Sequence, residues 1–400
     1  MKNMKRRIRA ITASIIGLAE VAFAQGASPA AARGFRIELS DQTRAESYWT
    51  SDRLVYAKPM PLSSVDPATA AFNQTEPPSK SANVQLAPEV LPGTLPTIAA
   101  GGQDLSRSAR SGGDASQPTI KMSDHAQATA ANFTYEFPFN NYQVPNVNMY
   151  PYSAIGKLFF VVPPGASIDP GDYVCSGSVF YDSHTVLTAR RCMYDYPTGT
   201  SYSNFVFYPA YDGGPNPAYN GGWTVRALWT WVSNAASMDY DIGFLQLNDA
   251  AGYGCNGSSG TPPIWSYTGS LGVRFFGNAS QYATIQENVL GYPQSSPFSG
   301  DKMYQNAAIV AAINPLGTSN IVELGNPQTD GTGGGPWIVG FNPQGAPHAT
   351  NNTINATNLI TGLNSFKWTS PSQPLAINSP AFLAYNLWDL YTGYNKLPCP

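Results

Sequence analysis

The sequence predicts an all-β protein with a long leader and a single closing helix. From residue 150 onward, short β-branched and aromatic runs alternate with Gly/Pro/Asn turns at regular spacing, which is the pattern of a sandwich or barrel. The composition agrees: charged residues make up only 12%, against 37 glycines and 34 prolines, so turns are plentiful and long polar helices are not. Only near the C-terminus does the apolar period switch from two to three or four.

Residues 1–24 read as an export signal. Lys2, Lys5, Arg6, Arg7 and Arg9 form a basic head, a short apolar stretch follows over 11–23, and Ala22-Phe23-Ala24 is a small-x-small cleavage site. The stretch is too short to span a bilayer as a mature helix, and no other segment reaches that length. Localisation is therefore expected to be secreted or periplasmic. The leader, 25–148, is rich in Ala, Ser, Pro, Gly and Gln and is expected to be largely disordered. Apolar patches at 35–39 and 48–56 are the places where it would dock on the domain that spans 149–400. The formal charge is −3 overall. The first 24 residues contribute plus four, which leaves an acidic body of about −7 and argues against nucleic acid or anionic membrane as a partner.

Within the domain, strands are expected at 157–162, 178–181, 185–187, 205–208, 224–231, 242–247, 273–276, 284–292, 307–313, 336–341 and 358–366. Ser379-Pro380 has the form of an N-cap followed by proline at the first helical position, and Phe382, Tyr385 and Trp388 then recur every third residue. No Cys or His pair has metal-ligand spacing, so neither metal nor cofactor is expected. Four cysteines in an exported chain favour disulfides.

Three blocks carry the chemistry. Cys175-Ser176-Gly177-Ser178 leads through Val186-Leu187 into Thr188-Ala189-Arg190-Arg191-Cys192. Asp239-Tyr240-Asp241-Ile242-Gly243-Phe244-Leu245 follows, and Gly331-Thr332-Gly333-Gly334-Gly335-Pro336 comes last. These resemble, in the same chain order, the histidine, aspartate and serine blocks of the trypsin-like (chymotrypsin-fold) serine peptidases. Tyr150-Pro151-Tyr152-Ser153-Ala154-Ile155-Gly156, Val289-Leu290-Gly291-Tyr292-Pro293 and Ile360-Thr361-Gly362-Leu363-Asn364-Ser365 are similar to segments of the bacterial glutamyl-endopeptidase branch. The resemblance covers about 149–395. It implies two six-stranded antiparallel β-barrels with a C-terminal helix packed on the second, a bridge between Cys175 and Cys192, backbone oxyanion donors at Gly331 and Gly333, and Asn364 in the specificity pocket. Cys255 and Cys399 remain as a second pair.

Two positions depart from that family's pattern. Arg191 stands at the histidine position and Gly333 at the serine position, while Asp241 is retained. Glycine offers no nucleophilic oxygen, and a guanidinium cannot accept a proton at ordinary pH. The three histidines, His125, His184 and His348, are read as surface or leader residues. Arg191 is placed by the resemblance to pair with Asp241, the other possibility being an arginine turned to solvent. Two functions stay open: an inactive peptidase homologue, expected to be monomeric, that binds a peptide or protein, and a serine endopeptidase with non-standard catalytic residues.

Overall fold

The computed structural model describes residues 31–66, 90–97, 138–181, 184–232, 238–250, 261–313, 320–343, 357–369 and 374–394. The export signal, Cys255, Cys399, His125 and His348 lie outside these residues.

The first half closes on itself. Strands run in the order Trp223–Trp231, Ser203–Pro209, Ile155–Val162, Gly171–Phe180, Thr185–Thr188 and Gly243–Leu247, and the last pairs back to Trp223–Trp231, forming a six-stranded barrel. These strands bury both faces: Leu158, Phe159, Phe160, Val179, Phe180, Val186, Leu187, Phe244 and Leu245 are all fully buried. That explains why they read as continuous apolar runs rather than clean alternation. The second half is an eleven-stranded sheet. Its central members are Phe366–Trp368, Ala376–Pro380, Ile321–Gly325, Tyr304–Ile313, Gln286–Gly291, Pro336–Val339, Leu359–Leu363 and Gly272–Arg274.

The expected strands are present, most of them within one to three residues of the expected ends. The start of Gly171–Phe180 extends further back, and Ile321–Gly325 and Ala376–Pro380 were not foreseen. The latter corrects the helix start. Ser379-Pro380 belongs to a strand paired with Ile321–Gly325, and the Ser379 hydroxyl accepts the Leu363 N–H at 2.8 Å instead of capping a helix. The helix begins later, as a π turn Ala384–Trp388 that continues into the α-helix Asp389–Tyr394. Its apolar stripe is real, but it packs on the first barrel. Tyr391 and Tyr394 lie against Phe180 and Phe244, with ring centroids 5.4 and 5.5 Å apart.

Within the leader, 31–66, 90–97 and 138–148 are described, and they join both sheets. Ala32–Arg36 adds antiparallel to Trp223–Trp231, Lys58–Pro59 adds parallel to Gly171–Phe180, and Ser63–Val65 adds parallel to Phe366–Trp368. Phe139–Gln143 and Val90–Leu91 pair with Tyr304–Ile313 and Gly272–Arg274. The helices Leu39–Tyr48 and Ser51–Tyr56 lie between the first two strands. Trp49 anchors them: it is buried, donates from Nε1 to the Asn204 carbonyl at 2.6 Å and meets Phe159 edge-on. Leu54 is buried in the same core, whereas Val55 and Tyr56 are exposed. Tyr48 and Arg53 both reach the Asp172 carboxylate, the latter at 2.8 Å.

Candidate functional site

Asp241 sits between the short 3-10 turn Met238–Tyr240 and the strand Gly243–Leu247, 2% exposed. Its carboxylate is fully engaged. Oδ1 accepts the backbone N–H of Arg191 at 3.2 Å, and Oδ2 accepts the Arg191 Nη1 at 2.8 Å and the Ser365 hydroxyl at 2.6 Å. The guanidinium thus contacts the carboxylate through one nitrogen, and the second oxygen is taken by the same residue's backbone. Arg191 lies in the 3-10 turn Arg190–Cys192, which the Cys175–Cys192 disulfide fastens to the neighbouring strand. Its side chain is 11% exposed in the pair. Desolvation pulls the Arg191 guanidinium below its ordinary value while the Asp241 charge opposes that shift. With both partners buried, the pair depends on each member being present.

The 331–335 turn faces this pair. It is held by Gly334 and Gly335 N–H groups donating to the Asn364 and Thr332 carbonyls at 2.9 Å, and by the Gly333 carbonyl accepting from Ser176 N–H at 2.8 Å. Gly331 has φ +88° and Gly334 φ +82°, left-handed conformations that favour glycine. A side chain on Gly334 would also run into the Thr188 hydroxyl. At Gly333 the conflict is with Arg191. A Cβ there would lie 2.9 Å from Nη2, 3.4 Å from Nε and 3.5 Å from Cζ. The guanidinium therefore fills the space above position 333, its Nη2 donating to the Asn364 carbonyl at 3.3 Å and its buried Nε making no hydrogen bond.

Asn364 is fully buried. Its amide donates to the Thr332 hydroxyl at 2.8 Å and its oxygen accepts from Trp337 Nε1 at 3.0 Å, so both ends of the amide brace the turn. Gly331 donates its N–H to the carbonyl of Met60, a leader residue, at 3.0 Å. The structure thus brings together Arg191, Asp241, Gly331, Gly333 and Asn364, and adds Ser365, Met60 and Ser63. The Ser63 hydroxyl lies 3.4 Å from Arg191 Nη1. Ser365 was legible, being the last residue of the 360–365 segment already singled out. The leader contacts were not.

His184 corrects the expectation of an exposed turn: it is 8% exposed, meets Gln246 at 3.2 Å, and its carbonyl accepts the Leu247 N–H. The neighbouring strand Gly243–Leu247 covers it. Among the described residues no group of three or more His, Cys, Asp or Glu could hold a metal, and no helix is long and apolar enough to cross a membrane.

No family model matches the chain, and no curated protein does. Among solved structures it is similar to the protease Anisep from Arthrobacter nicotinovorans, at 25% identity over 64% of this chain and 98% of that one, with a TM-score of 0.48. It is similar to a thermostable serine protease, AL20, from an extremophilic microorganism, at 24% identity over 61% and 98%, with a TM-score of 0.48. A Glu endopeptidase is similar at 15% identity over 64% and 97%, with a TM-score of 0.45.

Proposed function

We propose that this chain is an exported serine-peptidase-like protein without peptidase activity, which binds a peptide or protein ligand in the groove beside Arg191 and Gly331. The observation that carries this reading is the mutual fit of Arg191 and Gly333. Hydrolysis by this arrangement needs a hydroxyl nucleophile and a base to take its proton. Here the position facing the pair has no side chain, and the space it leaves is filled by a cation bonded to the retained carboxylate. The pair therefore joins a loop of the barrel to the 364–365 loop of the second sheet and performs no proton transfer. The Cys175–Cys192 disulfide fits an oxidising compartment, in line with the signal read over 1–24.

The test is active-site labelling. The purified full chain is expected to take no label from a fluorophosphonate, which reacts with an activated serine, and to leave casein and glutamyl peptides intact. A label that survives Gly333→Ala and maps to one serine would replace this reading with that of an endopeptidase using non-standard residues.

A further inference from the structure

The groove is occupied by the protein's own leader. Residues 58–65 cross it in extended form, and burial alternates at the centre of the segment: Met60 and Leu62 are buried on either side of the exposed Pro61, while the ends at Lys58 and Ser64 are exposed. The backbone contacts follow the same alternation. Met60 donates its N–H to the Val174 carbonyl at 2.9 Å and offers its own carbonyl to the Gly331 N–H at 3.0 Å. Leu62 donates its N–H to the Asp330 carboxylate at 2.8 Å. Beyond it, Ser63–Val65 pairs with Phe366–Trp368, and the Val65 carbonyl takes the Thr369 N–H at 3.0 Å.

Pro59 and Pro61 fall at the intervening positions. Proline has no N–H to donate, and a fixed φ near −65° favours extended chain. Over 59–62 the segment therefore supplies N–H donors only at Met60 and Leu62, each of which has an acceptor, and has none at the two prolines. Its conformational freedom is also low before it docks, which limits the entropy lost on binding. Two buried apolar side chains, two matched N–H groups and a terminal strand pairing constitute a recognition pattern rather than incidental coverage.

We infer that the groove formed by Val174, Gly331, Asp330 and Phe366–Trp368 is a binding site for an extended peptide with proline at alternate positions and apolar residues between them, and that residues 58–65 are its resident, tethered ligand. The ligand class rests on the binding function proposed above; the occupancy of the groove by the leader does not. An external peptide of this type binds when the leader segment is displaced, and the leader sets the threshold for it.

The experiment uses a fluorescent octapeptide with the sequence of residues 58–65, titrated into the full chain and into the Met60→Asp/Leu62→Asp variant of the full chain. The variant is expected to bind the octapeptide at least tenfold more tightly than the unaltered chain. An octapeptide N-methylated at the Met and Leu amides is expected to lose at least tenfold in affinity for the variant. Equal binding to both proteins, or no binding to a variant that still melts cooperatively, would overturn the inference. If the variant does not fold, amide exchange in the unaltered full chain decides: Met60 and Leu62 should exchange at least a hundredfold more slowly than in the free octapeptide, and exchange as fast as the free peptide would overturn it. Mass analysis of the octapeptide separates the two readings, since its hydrolysis would refute the absence of peptidase activity while leaving the occupancy of the groove intact.

Discussion

The guanidinium of Arg191 occupies the space that a side chain on Gly333 would need, with Nη2 2.9 Å from the position of a Cβ. The residues at 191 and 333 are therefore structurally coupled. Arginine at 191 crowds any side chain at 333, and the absence of one leaves room for the guanidinium as it reaches Asp241.

That coupling predicts a non-additive mutant cycle. Gly333→Ser alone should destabilise by about 1–3 kcal/mol, because Arg191 is held by Asp241 and cannot swing aside freely. Arg191→His should remove much of that penalty, with a coupling energy of about 1 kcal/mol or more in urea denaturation. Additive single and double mutants would show that the contact carries no strain. Fluorophosphonate labelling is expected only in the double mutant, and more strongly once Met60 no longer covers the Gly331 N–H.

Removing Arg191 strands a buried carboxylate. Arg191→Ala should cost about 3–5 kcal/mol, and adding Asp241→Asn should recover part of the loss. Denaturation of the single and double variants at neutral pH checks this; a double variant less stable than Arg191→Ala would contradict it.

Glu287 predicts a pH dependence. Its carboxyl is buried, desolvation pushes it up to about 8, and Oε2 has no hydrogen-bond partner while Oε1 accepts from Thr361 at 2.8 Å. Between roughly pH 4.5 and 8 the unfolded chain has released this proton while the folded chain retains it, so stability falls as pH rises. Glu287→Gln should flatten that fall and raise stability at pH 8 by a few kcal/mol. A variant whose stability falls with pH as steeply as the parent's would remove Glu287 as the cause.

The docked leader predicts a particular result from limited proteolysis. Cleavage anywhere in 67–89 or 98–137 should leave residues 31–66 bound, since Trp49, Leu54 and Met60 are buried in one hydrophobic core and Leu62 in the other. Intact mass analysis after size exclusion should find the fragment co-eluting with the domain. Trp49→Ala should release it, with a loss of about 3–5 kcal/mol in docking. A fragment that separates from the unaltered protein after cleavage would contradict this.

Loss of the Cys175–Cys192 bridge, which spans 17 residues, should cost about 3 kcal/mol. Thermal melts of Cys175→Ala/Cys192→Ala against the parent test it, and unchanged stability would show that the Arg190–Cys192 turn is held by packing alone.

Much of the fold was readable because its signals are local. The runs that became Ile155–Val162, Trp223–Trp231 and Gly243–Leu247 are dense in β-branched and aromatic residues and bounded by turns. The closing helix shows why local signals also mislead. Ser379-Pro380 has the chemistry of a helix start, yet tertiary pairing with Ile321–Gly325 takes it into a sheet, and the serine oxygen serves Leu363 instead.

The sequence by itself determined the β-rich class, the order of the three blocks, and a glycine at 333 with an arginine at 191, because these depend on residue identity and on contacts between near neighbours. Only the tertiary structure decided that Arg191 fills the space at Gly333, that Asn364 braces the turn, and that residues 58–65 lie in the groove. Each of these joins segments far apart in the chain. Ser63–Val65 meets Phe366–Trp368 through backbone hydrogen bonds that any sequence without proline at those positions could make. No residue pattern encodes such a partner, so the pairing is settled by where the eleven-stranded sheet leaves an open edge and by how Trp49 anchors the leader within reach of it.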